Sequence, residues 1–441
     1  MLEDLWLLIV IFAIFSIVLI SYSSKKFDFV VISLFCCFLV GSITGIAKNL
    51  DITVFVQKIE FEAIIVILCM SIITKIAQDS NILEFLAVKL FKISKGNRRI
   101  FFYLICFITT LLAAIISDVV VVLILAPVVI RLCRFLKTKA GTYLLGMTIC
   151  INIGSIITPF SSGENIIIAA AFNLNTVYFI TYYWGFSFFL LFITAFLIDR
   201  FQLAKEPEIE DLQKKYVLDL VDARVMISNK KMFYFNSVAI IITIALFAIL
   251  PFLYLTAAFS TFLLVLINRK FTKKKMGEFL KDVEWEIIFF FISLYVIVGC
   301  LEIAGFENLF KGIPFETMDP FLVSLIVLVL VSFVSGFVAN TPTALVFIPI
   351  VRLLTTVPDG ISDGFGFPSI PLFYSLIIAV NIGGNLIPQG AACDVMTLKI
   401  AQNNDVENFS FRRLLKVGAT FAIIHIILSI GYLFILTLFF G

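Results

Sequence analysis

Two polar side chains stand nine residues ahead of a proline, each inside a long apolar run: Asp118 before Pro127 and Asn340 before Pro349. A second pair of motifs follows, with Asn152 seven residues before Pro159 and Asn381 seven before Pro388. Charge or amide placed at membrane depth is costly and is a functional marker by default. Proline and glycine break helices, and the freed backbone survives in lipid only where it is buried or lines a cavity. Helix N-termini there can face an anion, and unwound carbonyls can hold a cation. The chemistry is therefore reversible binding of ions, not bond making.

The candidates for it around the first motif pair are Ser117, Asp118, Asn152, Gly154, Ser155, Thr158, Ser161, Ser162 and Asn165. Around the second pair they are Asn340, Thr341, Thr343, Asn381, Gly383, Gly384, Asn385 and Gln389. Asp118 has the neutral Asn340 as its counterpart. We read it as the group that takes up and releases a coupling proton, or that ligates sodium. The competing reading makes it a cap for the helix that follows. Glu164 and Asp394 are secondary ion ligands, Arg131 and Arg352 anchors, and His425, the single histidine, a packing residue. No cofactor or bound metal is expected beyond the coupling ion, H+ or Na+.

The matched motifs are offset by 222 and 229 residues, which makes them an internal repeat. The extra residues fit the Gly-, Asp- and Pro-rich loop 355–367. The chain has 441 residues, 61% of them hydrophobic and 14% charged, so a water-soluble fold is excluded and a polytopic helical membrane protein is predicted. The eight cysteines have no metal-ligand spacing and read as small buried apolar residues. A net charge of +3 gives no support to a nucleic-acid partner. No cluster of His and carboxylates has catalytic spacing, so the chain is not read as an enzyme.

These features predict an all-α protein of about ten spans and two re-entrant hairpins. Residues 1–200 form the first repeat, with a hairpin at 101–135 and a broken helix at 143–172. Residues 201–232 form a cytoplasmic linker. Residues 233–441 form the second repeat, with a hairpin at 320–354 and a broken helix at 370–399. Residues 81–94 are an amphipathic helix, and 306–315 a short amphipathic stretch. With Lys25 and Lys26 inside, every Lys and Arg falls on the cytoplasmic side except Lys48, Lys58, Lys311 and Arg352. Both termini are then outside a multi-pass protein of the plasma (cell) membrane. Five spans separate the halves, so the repeats are inverted and one central site can face each side in turn.

The motif residues also carry a family likeness. The chain resembles the ion transporter superfamily, in particular its citrate-transporter-like and arsenical-pump permease branch, related to sodium/proton antiporters and divalent anion:sodium symporters. The likeness rests on Ser117-Asp118 at one tip and Ala339-Asn340-Thr341-Pro342-Thr343 at the other. It rests also on Gly384-Asn385-Leu386-x-Pro388-x-Gly390. It implies a scaffold, a moving transport domain, elevator-type motion and a homodimer. The implied substrate is a small anion, oxyanion or metalloid species, or sodium itself. The sodium/dicarboxylate branch carries Ser-Asn-Thr at both tips, whereas Ser-Asp-Val and Ala-Asn-Thr stand here, which tilts the reading toward proton coupling. The alternatives are a sodium-coupled dicarboxylate or citrate symporter, and a passive permease driven by a partner ATPase.

Overall fold

The computed structural model describes residues 5–23, 27–206, 223–311, 313–356 and 364–441. Lys25 and Lys26, most of the linker and the centre of the 355–367 loop lie outside the described residues. The described chain is helical throughout. The helices are α1 Leu5–Ser23, α2 Phe29–Lys48, α3 Ile52–Val56, α4 Phe61–Asp79, α5 Ile82–Ile93, α6 Arg98–Ala113, α7 Asp118–Phe135, α8 Gly141–Gly154 and α9 Gly163–Phe172. One span then runs through α10 Thr176–Phe179, a π-helical turn Ile180–Trp184, and α11 Gly185–Phe201. After the linker come α12 Lys230–Ile249, α13 Leu253–Thr272, α14 Met276–Lys281, α15 Trp285–Ile303 and α16 Asn308–Lys311. The chain closes with α17 Pro320–Val338, α18 Asn340–Thr355, α19 Ser369–Gly383, α20 Ala392–Asn403 and α21 Phe411–Phe440.

Local chemistry sets these boundaries. Asn97 accepts from the amides of Arg99 and Ile100 to start α6, and Asp319 accepts from Phe321, with Pro320 at the first position, to start α17. Asn49 and Asn173 end α2 and α9 in the left-handed conformation. Eight helices are long and apolar enough to cross a membrane, among the described residues. One of them, α17, is the first arm of the second hairpin. Its 19 residues carry no charged side chain before the tip. The first hairpin's arms have 16 and 18 residues. Helix α5 buries Leu83, Ala87, Val88 and Phe91 and packs on α7, while Ile93 is exposed. The 306–315 stretch holds only the single turn α16, followed by a 3-10 turn from Phe315. All eight cysteines are buried and free.

Helix contacts recur in matched pairs. Helix α2 lies on α15 and α4 on α13; the arm α6 packs on α8 as α17 packs on α19; α7 meets α20 as α9 meets α18. Helices α4 and α15 run antiparallel, with an ion pair near each end. Lys58 Nζ, just ahead of α4, is 2.7 Å from Glu302 near the end of α15, and Lys75 Nζ, near the end of α4, is 3.6 Å from Asp282 just ahead of α15.

Two glycines set how closely each hairpin meets its broken helix. A Cβ on Gly383 would press into the Ser332 carbonyl and stand 2.9 Å from Ser332 Cα; one on Gly154 would press into the Thr110 carbonyl and stand 2.8 Å from Ala113 Cβ. Thr110 and Ser332 are themselves related by the 222-residue offset. Gly41, inside α2, has nothing within 4 Å of such a Cβ. Overpacking costs about 1–3 kcal/mol, and an open helical Gly→Ala gains up to about 1 kcal/mol. We therefore expect Gly383→Ala to lower the thermal midpoint of the detergent-solubilised protein and Gly41→Ala to leave it level or raise it.

Candidate functional site

Both hairpin tips open into helices without a side-chain cap. At the first tip Ser117 precedes α7, and Asp118 is that helix's first residue. At the second tip Ala339 precedes α18, with φ 88° and ψ 157°. That conformation is essentially reserved for glycine and costs roughly 1–3 kcal/mol. Helix α20 likewise starts after Ala391 without a side-chain cap, whereas Ser162 accepts from the Asn165 amide at the start of α9.

The first turns of these four half-helices line one cavity of about 350 Å³, through Ser117, Asp118 and Val120 of the first tip, Gly163 and Glu164 of α9, Thr341 of α18 and Ala392 of α20. Three of these N-termini, those of α7, α18 and α20, carry no side-chain cap, so the amide N–H groups of their first turns stay available at the cavity. The opposite wall belongs to α4 and α15, from Ile67 to Gln78 and from Ile287 to Phe291, with Tyr22 stacked on Phe290 at 4.7 Å. Four carboxylates line the cavity, Asp118, Glu164, Asp282 and Glu284, against one ammonium, Lys75.

Glu164 joins the two halves of the chain. Its carboxylate accepts from Asn340 Nδ2 and from Thr341 Oγ1, both at 3.2 Å. Asn340 is held in turn by Ser335, whose hydroxyl donates to Asn340 Oδ1 at 2.9 Å. Gly384 leaves room for that amide, since a Cβ there would stand 2.7 Å from Asn340 Oδ1.

Behind the cavity the broken helices are stitched together. Asn152 Nδ2 donates to Asn385 Oδ1 at 2.7 Å and Asn381 Nδ2 to Asn165 Oδ1 at 2.9 Å. Asn165 Nδ2 in turn donates to the carbonyls of Thr158 and Ser155, fixing the unwound loop. Thr158 Oγ1 donates to the Ala114 carbonyl at 2.6 Å, which ties the loop to the first tip. Asp394 accepts from Thr148 Oγ1 at 2.5 Å, and Cys393 Sγ lies 3.2 Å from Asn152 Oδ1. Two buried amide atoms, Asn381 Oδ1 and Asn385 Nδ2, have no hydrogen-bond partner among the described residues.

Of the residues singled out in the sequence, Ser117, Asp118, Ser161, Ser162, Glu164 and Thr341 line the cavity. Asn152, Ser155, Thr158, Asn165, Asn340, Asn381, Asn385 and Asp394 form the network behind it or hold the tips. Gly154, Gly383 and Gly384 act as spacers. Thr343 bonds its own helix at the Ala339 carbonyl. Gln389 is exposed and is not among the cavity's lining residues. Arg131 is exposed, and Arg352 donates to the Ala171 carbonyl at 3.3 Å, anchoring α18 to α9. His425 is buried, 2.7 Å from Thr194 Oγ1.

Sequence reading missed Thr148 and Cys393. It also missed that the 229-residue offset pairs Asn165 with Asp394, each third in its half-helix. Amide and carboxylate are thus exchanged between halves twice, at Asp118/Asn340 and at Asn165/Asp394. Applying the offset to every polar residue would have found the second exchange.

A second cavity, of about 210 Å³, lies further along the same α4–α9 contact, lined by Glu62, Ala63, Val66, Pro159, Ala169 and Asn173 among others. Ile166 lines both cavities. On α4 the centres of the two lining sets are about nine residues apart, or about 13 Å at helical rise.

Repeated hairpins and broken helices around a polar cavity, inside a shell of apolar helices, define a polytopic membrane transporter. The chain belongs to the citrate transporter family, whose profile matches residues 6–363. A 46 kDa membrane protein of Mycobacterium leprae is 25% identical over 86% of each chain. An uncharacterized transporter of Synechocystis is 22% identical over 80% of this chain and 81% of its own. The P protein of Sus scrofa is 21% identical over 90% of this chain and 55% of its own length.

Proposed function

We propose that this transporter is a proton-coupled carrier of a small anion, oxyanion or metalloid acid, working by elevator-type alternating access. One observation carries the reading: four half-helix N-termini converge on a single cavity that also holds Asp118 and Glu164. Amide dipoles attract an anion, while the four lining carboxylates repel it. An anion therefore enters only together with a neutralising proton or cation, which is the physical content of coupling. Asp118 lies at the first tip, where a proton taken up from one side could be released to the other.

The exchanged packing of the halves and the antiparallel α4–α15 pair support an inverted repeat. Read with positive charge on the cytoplasmic side, the 350 Å³ cavity, lined in part by Lys75, faces the cytoplasm and the second cavity faces outside. Sliding α9 along α4 by about 13 Å would carry the site from one cavity to the other. The wall between them at Ile166 keeps the two from being open together. Truncation by Ile166→Ala is expected to raise downhill proton leak several-fold over wild type in liposomes carrying a pH-sensitive dye, with little change in expression.

A second reading is favoured by one specific feature. The buried acceptor Asn381 Oδ1, unpartnered among the described residues, would suit a sodium ion and hence a sodium-coupled dicarboxylate or citrate symporter. The test is flux in proteoliposomes with an imposed pH or sodium gradient, using arsenite, silicate, citrate and succinate. Uptake or efflux driven by the pH gradient supports the first reading, and flux driven by sodium alone supports the second. Flux indifferent to both gradients points to a passive permease, which would need a partner ATPase for uphill movement.

A further inference from the structure

Helix α11 and the N-terminal part of α21 leave between them a groove of about 380 Å³ that shares no lining residue with the cavity. The two helices run antiparallel there, since Arg413 Nη2 reaches Gln202 Oε1 at 3.1 Å while Thr194 meets His425 deeper in. Its deeper walls are Ile198, Phe421 and Ile424; its outer end holds Gln202, Arg413 and Lys416. None of the lining residues is acidic. Arg413 is half-buried and held in place, donating to Thr142 Oγ1 at 2.9 Å, to Gln202 and to the Asn408 carbonyl, with Glu206 beside it. Burial raises the Glu206 carboxyl above its ordinary range, and the Thr142 hydrogen bond opposes that rise. Lys416 is exposed at the groove's rim.

We infer that this groove binds one anionic phospholipid, its phosphate on Lys416 and the outer edge of Arg413, and one acyl chain along Phe201 and Ile424. A lengthwise apolar slot ending in cations at the membrane surface matches that ligand in shape and charge. A zwitterionic lipid fits the slot but gains less from the cations, and a free anion fits the cations but not the slot. Because Arg413 also holds Thr142 near the start of α8, an occupied groove would brace the base of the first broken helix. The inference stands independently of which substrate the central cavity carries.

The test uses the full chain in phosphatidylcholine nanodiscs. Retained lipid is counted by native mass spectrometry, and the thermal midpoint is followed as phosphatidylglycerol, more phosphatidylcholine or inorganic phosphate is added. The expected result is one tightly held phosphatidylglycerol per chain, preferred over phosphatidylcholine by about fivefold for each cation engaged. Lys416→Gln should weaken that preference, and Lys416→Glu should erase it. Arg412→Gln, which removes an exposed charge beside the groove but not in it, should leave the preference intact. Equal retention of both lipids, a midpoint shift reproduced by inorganic phosphate, or an equal loss in Arg412→Gln would overturn the site.

Discussion

Asp118→Asn is expected to reduce gradient-driven flux to the level of protein-free liposomes while leaving the protein folded. The substitution keeps the size of the side chain and its place as the first residue of α7, and it removes only the capacity to carry charge and a proton. Helix-start propensities of Asp and Asn are similar, so a mere capping role would leave transport nearly intact. The pH profile of any residual flux separates the two cases. If the variant transports at wild-type rate with the wild-type pH dependence, the proton-carrier role is wrong and Asp118 is a structural cap.

Glu164 should have a comparable effect by a different route. It lies in the first half of the chain, yet it accepts hydrogen bonds from Asn340 and Thr341 at the second hairpin tip. The neutral isostere Glu164→Gln can keep contact with both partners but removes a charge from the cavity, so it should lose coupled flux with little loss of stability. Glu164→Ala removes both acceptors and leaves the buried Asn340 amide short of a partner, a penalty of about 1–3 kcal/mol. Its thermal midpoint should fall where that of Glu164→Gln does not. Full coupled transport by Glu164→Gln would reduce this residue to a strut between the halves.

Much of this architecture was legible because the bilayer permits so few structures. Apolar run lengths located the spans, and proline, glycine and polar residues at matched spacing located the tips and the two breaks. What was hidden depended on contact between halves. Nothing within the first motif indicates that Glu164 reaches Asn340, or that Asp394 takes its hydrogen bond from Thr148, because those pairs are 176 and 246 residues apart. Gln389 was drawn in by a motif it sits within, yet its side chain points out of the network. The strained Ala339 was also invisible, since alanine carries no sequence signal for a backbone conformation that glycine would adopt freely. The twofold exchange of Asp and Asn was readable in principle, from the offset alone.

The idea that one site is presented to each side in turn is tested most directly by counterflow. Vesicles loaded with an excess of unlabelled substrate are diluted into labelled substrate with no ion gradient imposed. A carrier with a single alternating site should accumulate label transiently above its equilibrium level and then release it. A continuous pore would let the label rise only to equilibrium, and that result would contradict the account.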